Sequence, residues 1–284
     1  MALPQNYNKD LATKYMKNTD EIFKRESRKS EMTNQNFSFD GARSIKIYKI
    51  NTAPMNDYGR AGAEEGNWSR YGSIADLDAP TEVKTLEQDR SFTFAIDKLD
   101  QNETGDQLEA ASALARQIRE VVIPEVDAYV YNVMCTQAGT KPAAAALTDQ
   151  NIYDKILEAT KTLDDEEVPE ANRFILVTPE TYKIMKKCSD ITMETEMGQD
   201  MRVKGVIANL DGMKVIKVPS ARVPENFGFL VGHPVACCAP VKLESYNTHN
   251  NPPGINGALV EGRIAYDAFV LDNKVKALYY QATE

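Results

Sequence analysis

One helical pattern dominates the sequence and limits the folds that the chain can adopt. Between residues 104 and 136, apolar side chains recur at steps of three and four, as on one face of an amphipathic helix. These positions are Leu108, Ala111, Ala115, Ile118, Val122, Val126, Tyr129 and Val133. At roughly 1.5 Å per residue, such a helix spans about 45–50 Å, which is longer than most globular helices. Pro124 lies inside the pattern and predicts a kink near Glu120, because proline has no N–H to donate.

A long polar stretch separates two predicted strands upstream of this helix. Residues 42–50 and 83–96 alternate apolar and polar side chains, as strands with one buried face do. Residues 51–82, between them, carry four glycines among Asn, Asp, Glu and Arg, and few aliphatic residues. Loops longer than about 15 residues are uncommon in compact domains and are generally functional or disordered.

The only tryptophan of the chain, Trp68, lies in the middle of this polar stretch. It is flanked by Tyr58, Arg60, Arg70 and Tyr71. Aromatic and arginine side chains without local aliphatic neighbours are typical of a surface that packs against another molecule. We interpret these five residues as candidate inter-subunit contacts; the alternative is an exposed loop without a partner.

The rest of the chain predicts further helices and strands. Residues 1–40 are polar and carry at most a marginal amphipathic helix. After residue 148 the sequence predicts an α/β unit of five elements: helix 149–163, strand 173–178, helix 179–187, and strands 213–218 and 227–231. Strands 259–271 and 274–281 are predicted to form a hairpin through Asp272 and Asn273, since both residues tolerate a positive φ.

Charge and cysteine usage narrow the class of protein. With Lys+Arg 33 against Asp+Glu 42, the net charge is −9, which disfavours tight nucleic-acid binding because phosphate contacts need basic side chains. No stretch approaches the roughly 20 apolar residues of a membrane helix. The four cysteines show no CxxC spacing, so reduced and buried thiols are expected; they are Cys135, Cys188, Cys237 and Cys238.

The sequence contains no recognisable catalytic motif. Its two histidines, His233 and His249, have no cysteine at zinc-ligand spacing, and His233 is interpreted as a turn residue. Neither a nucleophile elbow nor a phosphate-binding loop is present. The acidic run before the long helix lacks the pattern of a calcium loop, and acidic residues are common at helix starts; its members are Asp97, Asp100, Glu103 and Asp106. We therefore expect no enzyme, no catalytic residue, no cofactor and no metal.

The order of these parts resembles the major capsid proteins of tailed bacteriophages, which have the Hong Kong 97-type shell fold. Three sequence motifs carry the resemblance: residues 87–94 (EQDRSFTF), residues 122–129 (VIPEVDAY) and residues 262–271 (GRIAYDAFVL). Each is moderately specific, and their order across residues 1–282 is the stronger signal. The resemblance implies an α+β chain that acts as a structural shell subunit.

The resemblance also implies a division of the chain. The expected parts are an N-terminal arm (1–40), an extended β-hairpin loop (41–96), a peripheral domain with a spine helix (97–147), an axial α/β domain (148–238) and peripheral-domain strands (239–284). The arm is expected to lie on a neighbouring subunit. Residues 51–83 contain no lysine, so a shell without covalent cross-links is expected.

The implied partners are those of a virion shell. The chain would form hexamers and pentamers with itself, building an icosahedral capsid around double-stranded DNA that it contacts without sequence specificity. A portal protein would occupy one vertex, and the resemblance is also compatible with a decoration protein. A separate scaffolding protein is expected, because an arm of forty residues is shorter than the internal scaffolding segment of some relatives. Assembly would take place in the host cytoplasm. The alternative is the shell of an encapsulin-type bacterial compartment, which shares this fold.

Overall fold

A computed structural model describes most of the chain and divides it into two compact units. The described residues are 27–34, 44–48, 53–60, 62, 69–72, 80–103, 110–188, 191 and 209–284. The smaller unit is Phe39–Leu86, and the larger unit combines Met1–Ser38 with Glu87–Glu284. In the smaller unit, strands β1 (Ser44–Tyr48) and β2 (Thr81–Thr85) form an antiparallel pair, in which Tyr48 is opposite Thr81.

A three-stranded antiparallel sheet begins the larger unit. Strand β3 (Gln88–Asp97) lies at one edge of this sheet. The prediction of a returning loop strand that continues to residue 96 is therefore wrong, because β3 pairs within the larger unit. The alternation of Phe92, Phe94 and Ile96 predicted a strand correctly, but alternation does not identify the partner strand.

The predicted long helix is interrupted where proline requires it. After helix α1 (Lys98–Glu103), helix α2 (Ala110–Gln117) leads through a π-helical turn, Ile118–Val122, into helix α3 (Ile123–Thr136). The π-helical turn contains Glu120, the position at which Pro124 predicted a kink. A wider turn lets the backbone pass a residue that has no N–H and whose ring would collide with the carbonyl four residues earlier. The start of the predicted helix, residues 104–109, lies outside the described residues.

The second sheet of the larger unit has five strands. Helix α4 (Ile152–Asp165) precedes β4 (Phe174–Val177), and Thr178 then caps helix α5 (Pro179–Lys187) by accepting the Thr181 N–H at 3.2 Å. The middle strand β4 is buried throughout and pairs in parallel with β6 (Met213–Lys217), which lies beside the short strand β5 (Asn209–Leu210). Side chains of α4 and α5 form one apolar core with this sheet, including Ile156, Met185 and Phe229.

The C-terminal strands do not form the predicted hairpin. The three-stranded sheet is completed by β9 (Val241–Asn250) and β10 (Gly257–Tyr266). Short strands β8 (Cys237–Cys238) and β11 (Phe269–Val270) pair with each other, and residues Asp272–Ala277 form a 3-10 helix.

The last strand, β12 (Leu278–Ala282), joins the five-stranded sheet instead, beside β7 (Phe227–Gly232). The order of that sheet is β12-β7-β4-β6-β5. The strands of residues 239–284 therefore do not all belong to one sheet. The pairing of β12 with β7 depends on contacts between residues that are far apart in sequence, and local turn residues do not encode such contacts.

Part of the predicted N-terminal arm packs on its own chain. Residues 27–34 lie in the larger unit, where the Met32 side chain is fully buried in the core and the Asn34 N–H donates to the Cys237 carbonyl at 2.7 Å. The expectation that residues 1–40 extend to a neighbouring subunit is therefore wrong for this segment. A single apolar residue in a polar stretch gives no periodic signal, so the sequence pattern could not show that it is anchored.

A buried ionic cluster holds the same segment. Asp127 of α3 is fully buried; its Oδ1 accepts the Ser27 hydroxyl at 2.6 Å, and its Oδ2 accepts Nη1 of Arg222 at 2.8 Å. Burial raises the pKa of the Asp127 carboxyl, although Ser27 and Arg222 act in the opposite direction. Burial likewise lowers the pKa of the nearby Lys29 ammonium group.

Candidate functional site

The polar loop of the smaller unit is the best candidate for a functional surface. Its two arms are joined by backbone contacts, since the Gly59 N–H donates to the Arg70 carbonyl at 2.9 Å. The Asn56 side-chain amide donates to the Tyr71 carbonyl at 3.3 Å. These bonds bring together residues that precede and follow the central part of the loop.

Two glycines permit this close approach. A Cβ on Gly59 would lie 2.1 Å from the carbonyl oxygen of Gly62, which only glycine avoids. Gly72 has φ of 85°, and a Cβ there would lie 2.6 Å from the Asn56 side chain. The glycine content of the loop therefore supports a defined turn rather than mere flexibility.

Exposed aromatic side chains lie together at this turn. The rings of Tyr58 and Tyr71 make an edge contact with centroids 5.0 Å apart. Tyr58 is 52% exposed, Tyr71 is 78% exposed and the nearby Met55 side chain is fully exposed. Apolar side chains held in contact with water in this way favour burial against another molecule.

Four of the five predicted contact residues lie in the described part of this loop. Tyr58, Arg60, Arg70 and Tyr71 are all exposed, and the structure brings Tyr58 and Tyr71 into contact. Trp68 lies outside the described residues. Sequence reasoning missed Met55; its signal was one long apolar side chain in a polar stretch.

Other residues that were considered for chemistry have structural roles. The Asp97 carboxylate accepts the Leu99 N–H at 2.8 Å at the start of α1. All four cysteines are buried and form no disulfide, and burial raises the pKa of the Cys238 thiol to about 11. Within the described ranges, no three His, Cys, Asp or Glu side chains are grouped to hold a metal ion. None of the helices in those ranges is long and apolar enough to cross a membrane.

His233 occupies a turn, as the sequence predicted. Its Nε2 lies 3.0 Å from the Ala171 carbonyl, and its Nδ1 accepts the Val235 N–H at 3.1 Å. Together these contacts fit a neutral ring with the proton on Nε2. Burial lowers the pKa of His233 below its ordinary value.

The free energy of unfolding should therefore fall in mild acid, and His233 should account for part of this fall. Between its lowered native pKa and the ordinary value of about 6.5, the unfolded chain binds more protons than the native chain, so acid favours unfolding. In the variant His233→Gln, this part of the pH dependence should be absent. Urea unfolding of both proteins between about pH 7 and pH 5 measures it. An unchanged dependence in the variant would show that His233 does not contribute.

Comparisons with known proteins identify the fold. No family model matches the sequence, and neither does any curated protein. A structure from Mycobacterium phage Che8 matches with a TM-score of 0.72 and 17% identity, covering 98% of both chains. The capsid structure of cyanophage P-SCSP1u matches with a TM-score of 0.71 and 11% identity, covering 96% of this chain and 92% of that chain. The chain has the Hong Kong 97-type capsid fold.

The capsid fold is also similar to that of a virus-like particle. The crystal structure of such a particle from Pyrococcus furiosus matches with a TM-score of 0.57 and 11% identity, covering 91% of this chain and 92% of that chain. The two phage structures therefore match with higher TM-scores and cover more of this chain.

Proposed function

We propose that this chain is the major capsid protein of a tailed bacteriophage. It assembles into hexamers and pentamers, and these close into an icosahedral shell around double-stranded DNA. The observation that carries the proposal is the likeness to phage structures over nearly the full length of both chains. An encapsulin-type compartment is the second candidate, and the lower TM-score of the Pyrococcus particle makes it the weaker one.

In this proposal the loop of the smaller unit is the extended loop, and its turn contacts a neighbouring copy. The exposed Tyr58, Tyr71 and Met55 side chains support this role, because each would bury apolar surface on assembly. Arg60, Arg70 and Trp68 are proposed contacts of the same turn. Helices α2 and α3, with the π-helical turn between them, form the spine helix, and the five-stranded sheet is the core of the axial domain.

The proposal includes partners besides the chain itself. A separate scaffolding protein guides assembly, a portal protein occupies one vertex, and a decoration protein can add to the outer surface. Contact with packaged DNA is weak and non-specific, since the net charge of −9 disfavours tight binding to phosphate groups. Assembly takes place in the host cytoplasm, and the shell is held without covalent cross-links.

Electron microscopy of the purified protein tests the proposal. We expect rings and closed shells, formed together with aberrant particles when no scaffolding protein is present. Trp68, as the only tryptophan, should change its fluorescence emission between disassembled subunits and shells. Only a 31.7 kDa monomer under all assembly conditions would contradict the proposal. Particles from the native source that enclose a protein cargo and no DNA would favour the encapsulin-type compartment.

A further inference from the structure

Two lysines converge on one tyrosine at the surface of the five-stranded sheet. Lys186 on α5 places its Nζ 5.2 Å from the centroid of the Tyr182 ring, and Lys217 at the end of β6 places its Nζ 4.7 Å away. Both lysines are exposed, and Lys183 and Lys187 add further positive charge on α5. We name Tyr182, Lys186 and Lys217 the lysine–tyrosine cluster. Both ammonium groups lie beside one tyrosine ring, and this concentration of positive charge suits an anionic partner.

A dense acidic turn follows helix α4. It consists of exposed carboxylates at the end of that helix and just after it: Asp164, Asp165, Glu166, Glu167 and Glu170. Helix C-termini carry partial negative charge and favour cations, but the last turn of α4 contains no basic residue. Compensating positive charge must therefore come from other parts of the chain.

Internal ion pairs neutralise only part of the acidic turn. Arg173 contacts Asp164 at 2.7 Å, and Lys276 contacts Glu166 at 2.8 Å. In the described part of the chain, the other three carboxylates make no ion pair: Asp165, Glu167 and Glu170. Negative charge thus remains at the surface of this turn.

The two charged surfaces lie at opposite ends of the strands. Asp164 pairs with Arg173, the residue directly before β4, and Glu166 pairs with a lysine two residues before β12, Lys276. Lys217 lies at the other end, because the parallel register of β4 and β6 places it beside Val177, the last residue of β4. One chain therefore presents opposite charges in two directions. Complementary surfaces on different sides of one subunit produce head-to-tail contacts, which close into rings when the rotation permits.

We infer that the acidic turn of one copy docks on the lysine–tyrosine cluster of the next copy around a ring. This inference rests on the proposed function and names the axial-domain contact that fixes the order of subunits in a hexamer or pentamer. Charge pairs of this kind contribute mainly to association rate and register, and salt screens them. Ring formation should therefore weaken as the salt concentration rises.

Charge exchange tests the inference. The double variant Lys186→Glu/Lys217→Glu should raise the protein concentration needed for ring formation by roughly tenfold or more, and so should Glu167→Lys/Glu170→Lys. Combining all four substitutions restores the complementary pairing with the charges reversed and returns the net charge to −9. The combined variant should therefore assemble at nearly the wild-type concentration. Lys98→Glu/Lys242→Glu changes the net charge equally at exposed positions outside both surfaces and is the matched control.

Sedimentation and electron microscopy give the readout, with thermal unfolding to confirm that each variant is folded. Normal assembly of either double variant would overturn the inference, as would failure of the combined variant to recover. Equal impairment of the control would show an effect of net charge alone and would also overturn it. A lysine variant that assembles normally but loses binding to double-stranded DNA would assign the cluster to DNA instead. Failure of the wild-type chain to assemble under any condition would contradict the proposed function itself.

Discussion

Replacement of Asp127 by alanine should lower the free energy of unfolding by about 3–5 kcal/mol, the usual cost of breaking a buried ion pair. The Asp127 side chain is fully buried, and Arg222 is only 6% exposed. Without the carboxylate, the Arg222 guanidinium would remain buried without its counter-charge. The Ser27 hydroxyl would lose its 2.6 Å acceptor at the same time.

Paired substitutions separate the ion pair from simple loss of packing. Replacing both partners, as in Asp127→Leu/Arg222→Met, should cost much less than Asp127→Ala, because no charge is left buried. Ser27→Ala removes only one hydrogen bond to a charged group and should cost about 1.5–3 kcal/mol. Urea unfolding of the disassembled subunit measures all three variants. If Asp127→Ala costs no more than the double variant, the ion pair does not stabilise this region.

Hydrogen exchange gives a second readout for the same cluster. The Asn34 N–H donates to the Cys237 carbonyl, so it should be protected while residues 27–34 are docked. In Asp127→Ala this amide should exchange faster than amides of the central strand β4. Unchanged protection would mean that other contacts, such as the burial of Met32 and the ion pair of Glu31 with Lys214, anchor the segment without Asp127.

Local patterns predicted most helices and strands of this fold. Apolar side chains at steps of three and four predicted α2 and α3. The missing N–H of Pro124 predicted an irregular turn at Glu120. The helix predicted to begin at Pro179 is confirmed as α5, because proline is favourable in the first turn of a helix. Each of these features depends on residues within one or two turns of each other, so the sequence carries it directly.

Partners that are distant in sequence were not predictable in the same way. The alternation in β12 showed a strand but not its neighbour β7, and Asp272 with Asn273 suggested a hairpin that a 3-10 helix replaces. The buried ion pair of Asp127 had no signal in the sequence, because its partners Ser27 and Arg222 are about 100 residues away on either side. The lysine–tyrosine cluster likewise combines α5 with β6, and no local spacing indicates that pairing.

The candidate contact surface was predictable by residue type but not by geometry. Tyrosine and arginine in a polar stretch indicated a binding role, and Tyr58 with Tyr71 proved to be exposed and in contact. The bond from Gly59 to Arg70 that brings the two arms together spans the loop, and no sequence pattern specifies it.

Removal of the loop should abolish shell assembly while leaving a folded subunit. Strands β1 and β2 end with Tyr48 opposite Thr81, so a two-residue Asn-Gly turn can replace residues 49–80 and close the hairpin. The larger unit has its own cores and includes none of the replaced residues. Its thermal unfolding should therefore change little, whereas particles should disappear because the exposed aromatic contacts are lost.

A variant with a loop of equal length shows whether the loop acts through its side-chain contacts or only through its length. Here residues 53–72 are replaced by a Gly-Ser segment of the same length, which keeps the span but removes Tyr58, Trp68 and Tyr71. We expect it to fail in assembly as the shortened variant does, since flexible glycine and serine cannot supply an aromatic contact. Circular dichroism confirms folding, and electron microscopy counts particles. Normal shells from the equal-length variant would show that the aromatic side chains are dispensable, and normal shells from the shortened variant would show that the loop is not an inter-subunit contact.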